Sequence, residues 1–186
     1  MPKENQRVTI SKRLLKDGVM KLLKKKHIKD ISISELCEEA KINRTTFYRH
    51  YQTPHDILME IELDFIKEFY EIPSPTKNVK DMKEYATRMC TFLFDNKEIA
   101  KLFIKNNTDN DFTLLFQNFA DNFLASKTIQ YKNRTVDEHT VKLMTTFFAY
   151  GVYAMIKQWL IEEIPKTPIE LADLIIGSLN KDFSFI

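Results

Sequence analysis

Only three glycines are spread over the 186 residues, Gly18, Gly151 and Gly177, with six prolines beside them. Tight hairpin turns and phosphate-cradling loops both draw on glycine, so all-β and doubly wound nucleotide-binding folds are disfavoured and long helices are expected. Apolar spacing agrees. Ile10, Leu14, Leu15, Val19, Leu22 and Leu23 fall on one helical stripe, which predicts a first helix from Ile10 to about Lys26. Hydrophobic residues at 44% and charged residues at 29% exclude a disordered or fibrous class, and the length suits one domain or two small ones.

Punctuation along the chain is chemical. Ser32-Ile33-Ser34-Glu35 has the form of a capping box, so a short second helix runs from Ile33 to Ala40. Asn43 is a good N-cap for a third, which carries Phe47 and Tyr51 one turn apart and extends to about Tyr51. Thr53-Pro54-His55-Asp56 starts a fourth, on which Ile57, Ile61, Phe65 and Phe69 form an i, i+4 ladder to about Glu71. Ile72-Pro73-Ser74-Pro75 breaks it and marks a boundary between domains 8–71 and 72–186. Beyond it, helices are expected at 79–95, 97–106, 111–131, 136–163 and 168–182, with no strand pattern. The expected class is all-α, a three-helix head followed by a helical bundle.

Charge is divided in the same way. Residues 1–56 carry 13 Lys and Arg against 7 Asp and Glu, a balance of +6, and three of the four histidines. Residues 57–186 carry 15 against 19, a balance of −4, and most of the aromatic residues. A small basic head suggests a polyanionic partner. Two short helices joined by four residues, the second opening on Asn43-Arg44-Thr45-Thr46, have the length and chemistry of a helix-turn-helix, whose second helix enters the DNA major groove.

The strings Ile31-Ser32-Ile33-Ser34-Glu35-Leu36-Cys37-Glu38-Glu39-Ala40 and Ile42-Asn43-Arg44-Thr45-Thr46-Phe47-Tyr48-Arg49-His50-Tyr51 closely resemble the TetR family of transcriptional repressors. The likeness covers residues 9–62 and is most specific at Thr46-Phe47-Tyr48-Arg49-His50-Tyr51. It implies an operator-binding repressor whose body takes a small-molecule effector and whose last two helices form a homodimer. Two positions depart from the family pattern. Lys41 stands where the turn usually carries Gly, and Pro54 replaces a Lys that often touches phosphate. Free amides at the start of the fourth helix, with His55, are expected to replace that contact.

First-turn side chains of a recognition helix reach the groove. Arg44 can fork onto guanine O6 and N7, and Thr45 or Thr46 can offer a hydroxyl or a methyl. Tyr48, His50, Ser32 and Ser34 are placed for phosphate, Arg49 suits either role, and Phe47 is assigned to the head's own core. Lys24-Lys25-Lys26 complements a helix dipole.

In the body, Phe112, Phe116, Phe119 and Phe123 share a helix face, and residues 141–161 are apolar nearly all round, so one side must meet a partner subunit or a cavity. Gly151 allows a close approach there. Phe103, Phe116, Phe119, Tyr150, Tyr153, Met155 and Trp159 are the candidate lining of an effector pocket.

No catalytic constellation is visible: the histidines are scattered, and Asp137-Glu138-His139 sits at a helix start where acids act as caps. No enzyme activity, metal site or cofactor is expected. Cys37 and Cys90 lack a ligand spacing or a disulfide framework and fit a reducing cytoplasm. The polar N-terminus does not resemble a secretory signal, and the longest charge-free run, Leu143–Ile156, falls short of the ~20 residues that a membrane helix needs. A constitutive DNA binder that recruits a protein partner and an activator with the same head are the alternatives.

Overall fold

The computed structural model describes residues 2–73, 79–106, 116, 130–131, 134–135 and 137–180. Its helices are α1 (Pro2–Leu23), α2 (Ile33–Ala40), α3 (Arg44–Tyr48), α4 (Pro54–Tyr70), α5 (Val79–Asp95), α6 (Lys97–Asn106), α7 (Glu138–Ile161) and α8 (Pro168–Asn180), with one 3-10 turn at Ile28–Asp30. A minimal antiparallel pair, β1 (Gln130–Tyr131) and β2 (Arg134–Thr135), sets Gln130 opposite Thr135 and Tyr131 opposite Arg134. The fold is all-α apart from that pair.

Several helix ends differ from expectation. α1 begins eight residues before Ile10 because Pro2 suits the first helical position and Lys3, Glu4, Gln6 and Arg7 are good helix formers that carry no apolar stripe. It stops at Leu23, short of Lys26. α3 stops at Tyr48 because Phe47 O accepts the amides of both His50 (2.9 Å) and Tyr51 (3.0 Å), which tightens the chain into a turn. The helix expected over 111–131 lies outside the described residues except at helical Phe116 and at Gln130 and Tyr131, which are strand; Tyr131 and Thr135 favour that state. Residues 181–182 also lie outside them.

The chain divides into two compact units, Met1–Phe65 and Ile66–Ile186, with the division inside α4. The first is built around Leu15, Val19 and Leu22 of α1, Leu36, Cys37 and Ala40 of α2, Phe47 of α3, and Ile57, Leu58 and Ile61 of α4, all buried. α1 and α2 approach so closely that a methyl at Gly18 would stand 3.1 Å from Leu36 Cδ1 and 3.2 Å from Ala40 Cβ. That contact is the reason for a glycine in mid-helix, where it otherwise costs about 0.5–1 kcal/mol.

At its margin α1 is tied to α4 by charge. Glu60 binds Lys12 Nζ at 2.9 Å and Lys16 Nζ at 2.9 Å, accepts the Tyr51 hydroxyl at 3.1 Å, and Lys16 reaches Asp64 at 2.6 Å. Partial burial would raise the Glu60 carboxyl, but hydrogen bonds from Lys16, Lys12 and Tyr51 outweigh it and hold the group at about 2. Burial and the Glu60 charge together push the Tyr51 phenol up.

In the second unit α5 packs along α8, with Met82, Tyr85, Ala86, Met89, Cys90 and Leu93 buried on one and Leu171, Ala172, Ile175 and Ile176 on the other. Lys83 and Asp173 pair at 2.7 Å at the edge of this contact. α6 packs on α7. The i, i+4 ladder of α4 is buried throughout, and Phe69 meets Phe92 and Phe116 edge to face at 5.8 and 5.9 Å. Cys37 and Cys90 are free thiols, both buried.

α7 buries one face through Phe148, Ala149, Val152, Tyr153, Ile156, Trp159 and Leu160. Leu143 (72% exposed), Phe147 (65%), Tyr150 and Ile161 form a stripe at helical spacing on the other. Among the described residues, no helix is long and apolar enough to cross a membrane.

Candidate nucleic-acid interface

The interface is set by how α2 ends and α3 begins. Ser32 caps α2, its Oγ accepting Glu35 N at 3.2 Å, but the Glu35 carboxylate does not return the bond of a capping box; it takes Lys26 Nζ at 2.7 Å. Lys41 closes α2 in the left-handed region (φ 54, ψ 40), with Ile42 N bonded to Cys37 O at 2.9 Å and Lys41 N to Glu38 O at 3.2 Å. These two bonds make a Schellman closure, so the turn adopts the glycine-type geometry and Lys41 bears the Cβ penalty. Two residues later Asn43 Oδ1 accepts Thr46 N at 2.7 Å and starts α3.

α3 is a single short helix anchored by Phe47, which is fully buried and meets Tyr48 (5.4 Å, edge to face) and Tyr51 (6.3 Å). Burying that ring turns the other side chains outward. Arg44, Thr45, Tyr48 (60% exposed) and Arg49 face solvent, and Thr46 is half-buried. Arg44 Nη2 donates to Ser34 Oγ at 2.7 Å and so joins the first turn of α3 to the exposed start of α2; sequence spacing gave no sign of this bond. A guanidinium has five N–H donors, which leaves a forked pair for an acceptor beyond the protein. His50 is half-buried against Tyr51, with rings 6.4 Å apart. Burial pushes the neighbouring Cys37 thiol up despite the Arg44 charge, which disfavours its thiolate.

The start of α4 is capped by its own side chains. Asp56 Oδ2 accepts the amides of Gln52 and Thr53, each at 2.8 Å, while Asp56 N donates to Thr53 Oγ1 at 3.3 Å. Those backbone bonds, led by that of Thr53, hold the carboxyl below its usual range. The two amides that the carboxylate takes precede the helix; within its first turn Asp56 N is bonded to Thr53, and His55 is exposed beside it.

In the body, Phe103, Phe116, Tyr153 and Trp159 are buried and Met155 is half-buried, whereas Tyr150 lies on the exposed stripe of α7; Phe119 lies outside the described residues. Asp137 is the N-cap of α7, its carboxylate accepting Thr140 N at 3.0 Å. Among the described residues no cluster of His, Cys, Asp and Glu could hold a metal.

Residues 80–181, more than half of the chain, match the TetR_C_8 family model, described as a transcriptional regulator C-terminal region. No curated protein matches the sequence. Three solved structures share the fold. A TetR transcriptional regulator from Streptococcus agalactiae is 18% identical with a TM-score of 0.67, over 96% of this chain and 98% of its own. The dihydroxyacetone kinase operon activator DhaS is 18% identical with a TM-score of 0.62, over 92% and 94%. A TetR-family transcriptional regulator from Syntrophomonas wolfei is 16% identical with a TM-score of 0.57, over 96% and 94%.

Proposed function

Because this chain belongs to the TetR family of transcriptional regulators, we propose that it acts in the cytoplasm as a ligand-responsive repressor, binding a near-palindromic operator as a homodimer. The observation that carries this reading is the exposed row Arg44, Thr45, Tyr48 and Arg49 on a helix capped by Asn43 and anchored by buried Phe47. Residues 8–71 form the DNA-binding head. α3 lies in the major groove, where Arg44 forks onto a guanine and Thr45 and Thr46 read its neighbours. Tyr48, Arg49, His50, His55 and the Ser32 and Ser34 hydroxyls at the start of α2 hold phosphates, fixing register without reading sequence.

Dimerisation follows from the apolar stripe Leu143, Phe147, Tyr150 and Ile161 of α7, with Ile169 and Leu174 of α8 also exposed. A two-fold axis through α7 and α8 sets one such patch against its copy, and Gly151 and Gly177, with open space around each Cβ position, admit close helix approach. The two heads then meet half-sites separated by whole helical turns. The effector site draws on Phe103, Phe116, Phe119, Tyr153, Met155 and Trp159; Tyr150 serves the dimer. An effector shifts operator affinity only by its differential affinity for the competent and incompetent states.

The similarity to a protein named as an operon activator supports a second reading, activation through the same head, since the DNA contacts are identical and only the operator's position differs. Fluorescence anisotropy on DNA from upstream of the chain's own gene, across a salt series, tests the reading. Affinity for this DNA should exceed that for random duplex and fall steeply with salt, and Tyr48→Phe should weaken both kinds of binding together. Salt-independent binding would overturn the phosphate roles.

A further inference from the structure

The second unit contains a cleft of about 450 Å³ where the end of α5 and the start of α6 meet the link from α7 to α8. Its apolar wall is a stacked pair, Phe94 and Trp159, with ring centroids 5.7 Å apart and planes 25° from parallel. The indole is fixed edgewise, because Trp159 Nε1 donates to Lys166 O at 2.9 Å.

Around this wall stand three lysines, Lys97, Lys101 and Lys166, against one carboxylate, Glu163. Lys97 Nζ lies 5.6 Å from the centre of the Phe94 ring, and Lys101 Nζ bonds Glu163 at 2.6 Å. Glu163 closes α7 in the left-handed region (φ 52), with Ile164 N bonded to Trp159 O at 3.1 Å. A residue without glycine's freedom holds this conformation only where its surroundings fix it, and here the fixed backbone keeps the carboxylate beside Lys101.

A space of this volume is in the range that small organic ligands fill, and its chemistry is one-sided: the exposed part of Phe94 backed by buried Trp159 below, an excess of ammonium groups at the rim. An inorganic anion would leave the exposed part of Phe94 uncovered, and a neutral apolar molecule would leave the excess positive charge of the rim unmatched. From this geometry we propose that the cleft binds a free small organic carboxylate with an aromatic body, its ring against Phe94, which Trp159 backs, and its carboxylate on Lys97, Lys101 and Lys166. Binding here does not depend on the DNA-binding role of the head.

Trp159 is the sole tryptophan, so all indole emission comes from the wall of this cleft, and the lysine variants tie a change in it to the rim. The full-length protein is titrated with 4-phenylbutyrate, with uncharged 4-phenylbutyramide and with inorganic phosphate, and heats of binding are recorded in parallel. The carboxylate should saturate and bind ~tenfold more tightly than the amide, since a charge-assisted bond replaces a neutral one, and phosphate should leave the emission unchanged. Lys101→Gln and Lys166→Gln should each weaken the carboxylate several-fold. Glu163→Gln, which releases the Lys101 ammonium, should tighten it several-fold, a change that no loss of folding could mimic. Lys142→Gln, more than four helical turns from Trp159 on α7, should have no effect. Equal binding of carboxylate and amide, no saturation, or no response to Glu163→Gln would overturn the proposal.

Discussion

Replacing Glu60 by Gln isolates the charged tie between α1 and α4. The folded carboxyl sits at about 2 against an ordinary 4.5. That difference corresponds to an upper limit of roughly 3 kcal/mol. The Glu60 side chain is 31% exposed and its partners Lys12 and Lys16 are 37% and 24% exposed, so solvent screening takes back much of this. About 1 to 2 kcal/mol is the expected loss for Glu60→Gln at pH 7. Lys16 keeps Asp64 at 2.6 Å, so the substitution does not strand that ammonium. Hydrogen exchange of α1 and α4 amides should show the loss as an equal drop in opening free energy, while α5 and α8 amides of the second unit stay unchanged. The pH dependence follows from the sign of the shift. A carboxyl held lower in the folded state stabilises above the unfolded value, near 4.5, and loses that contribution as pH falls toward 2. Wild type and Glu60→Gln should therefore converge between pH 4.5 and 2 in urea titrations. A difference that persists unchanged at pH 2 would refute the assignment to Glu60 ionisation.

Two further outcomes are expected. Lys41→Gly relieves the left-handed penalty at the turn, partly offset by the freer unfolded chain, and should raise the thermal midpoint by the equivalent of about 0.5 kcal/mol; a lower midpoint would mean that the lysine side chain itself holds the turn. Phe147→Glu places a charge on the exposed stripe of α7 and should convert a dimer to a monomer at micromolar concentration by light scattering; a wild-type monomer would remove the proposed interface.

The parts of this molecule legible from sequence are those governed by neighbours in the chain. Ser32, Asn43, Thr53 with Asp56, and Asp137 all cap helices where short-range chemistry places them. Burial of Phe47 and of the α4 ladder followed from spacing alone. Features made by residues far apart in sequence were not legible. The Glu60 cluster joins positions 48 residues apart, Lys101 meets Glu163 across 62, and the Arg44 bond to Ser34 crosses the turn. The early start of α1 was hidden for another reason: Lys3 to Arg7 favour a helix without an apolar stripe, and periodicity detects only helices that bury one face. At α4, the sequence pattern marked the helix start, and the Asp56 carboxylate adds a bond to the preceding Gln52 amide that the pattern did not show.

The central claim is that α3 reads DNA through Arg44. Selection of bound duplexes from a randomised pool, carried out with wild type and with Arg44→Ala, tests it most directly. Wild type should enrich an inverted repeat with half-sites separated by whole helical turns. Arg44→Ala should enrich the same repeat with one guanine position per half-site relaxed, at a loss of about 1 to 3 kcal/mol on the original sequence. Identical motifs from both proteins, or no enrichment by wild type, would contradict it.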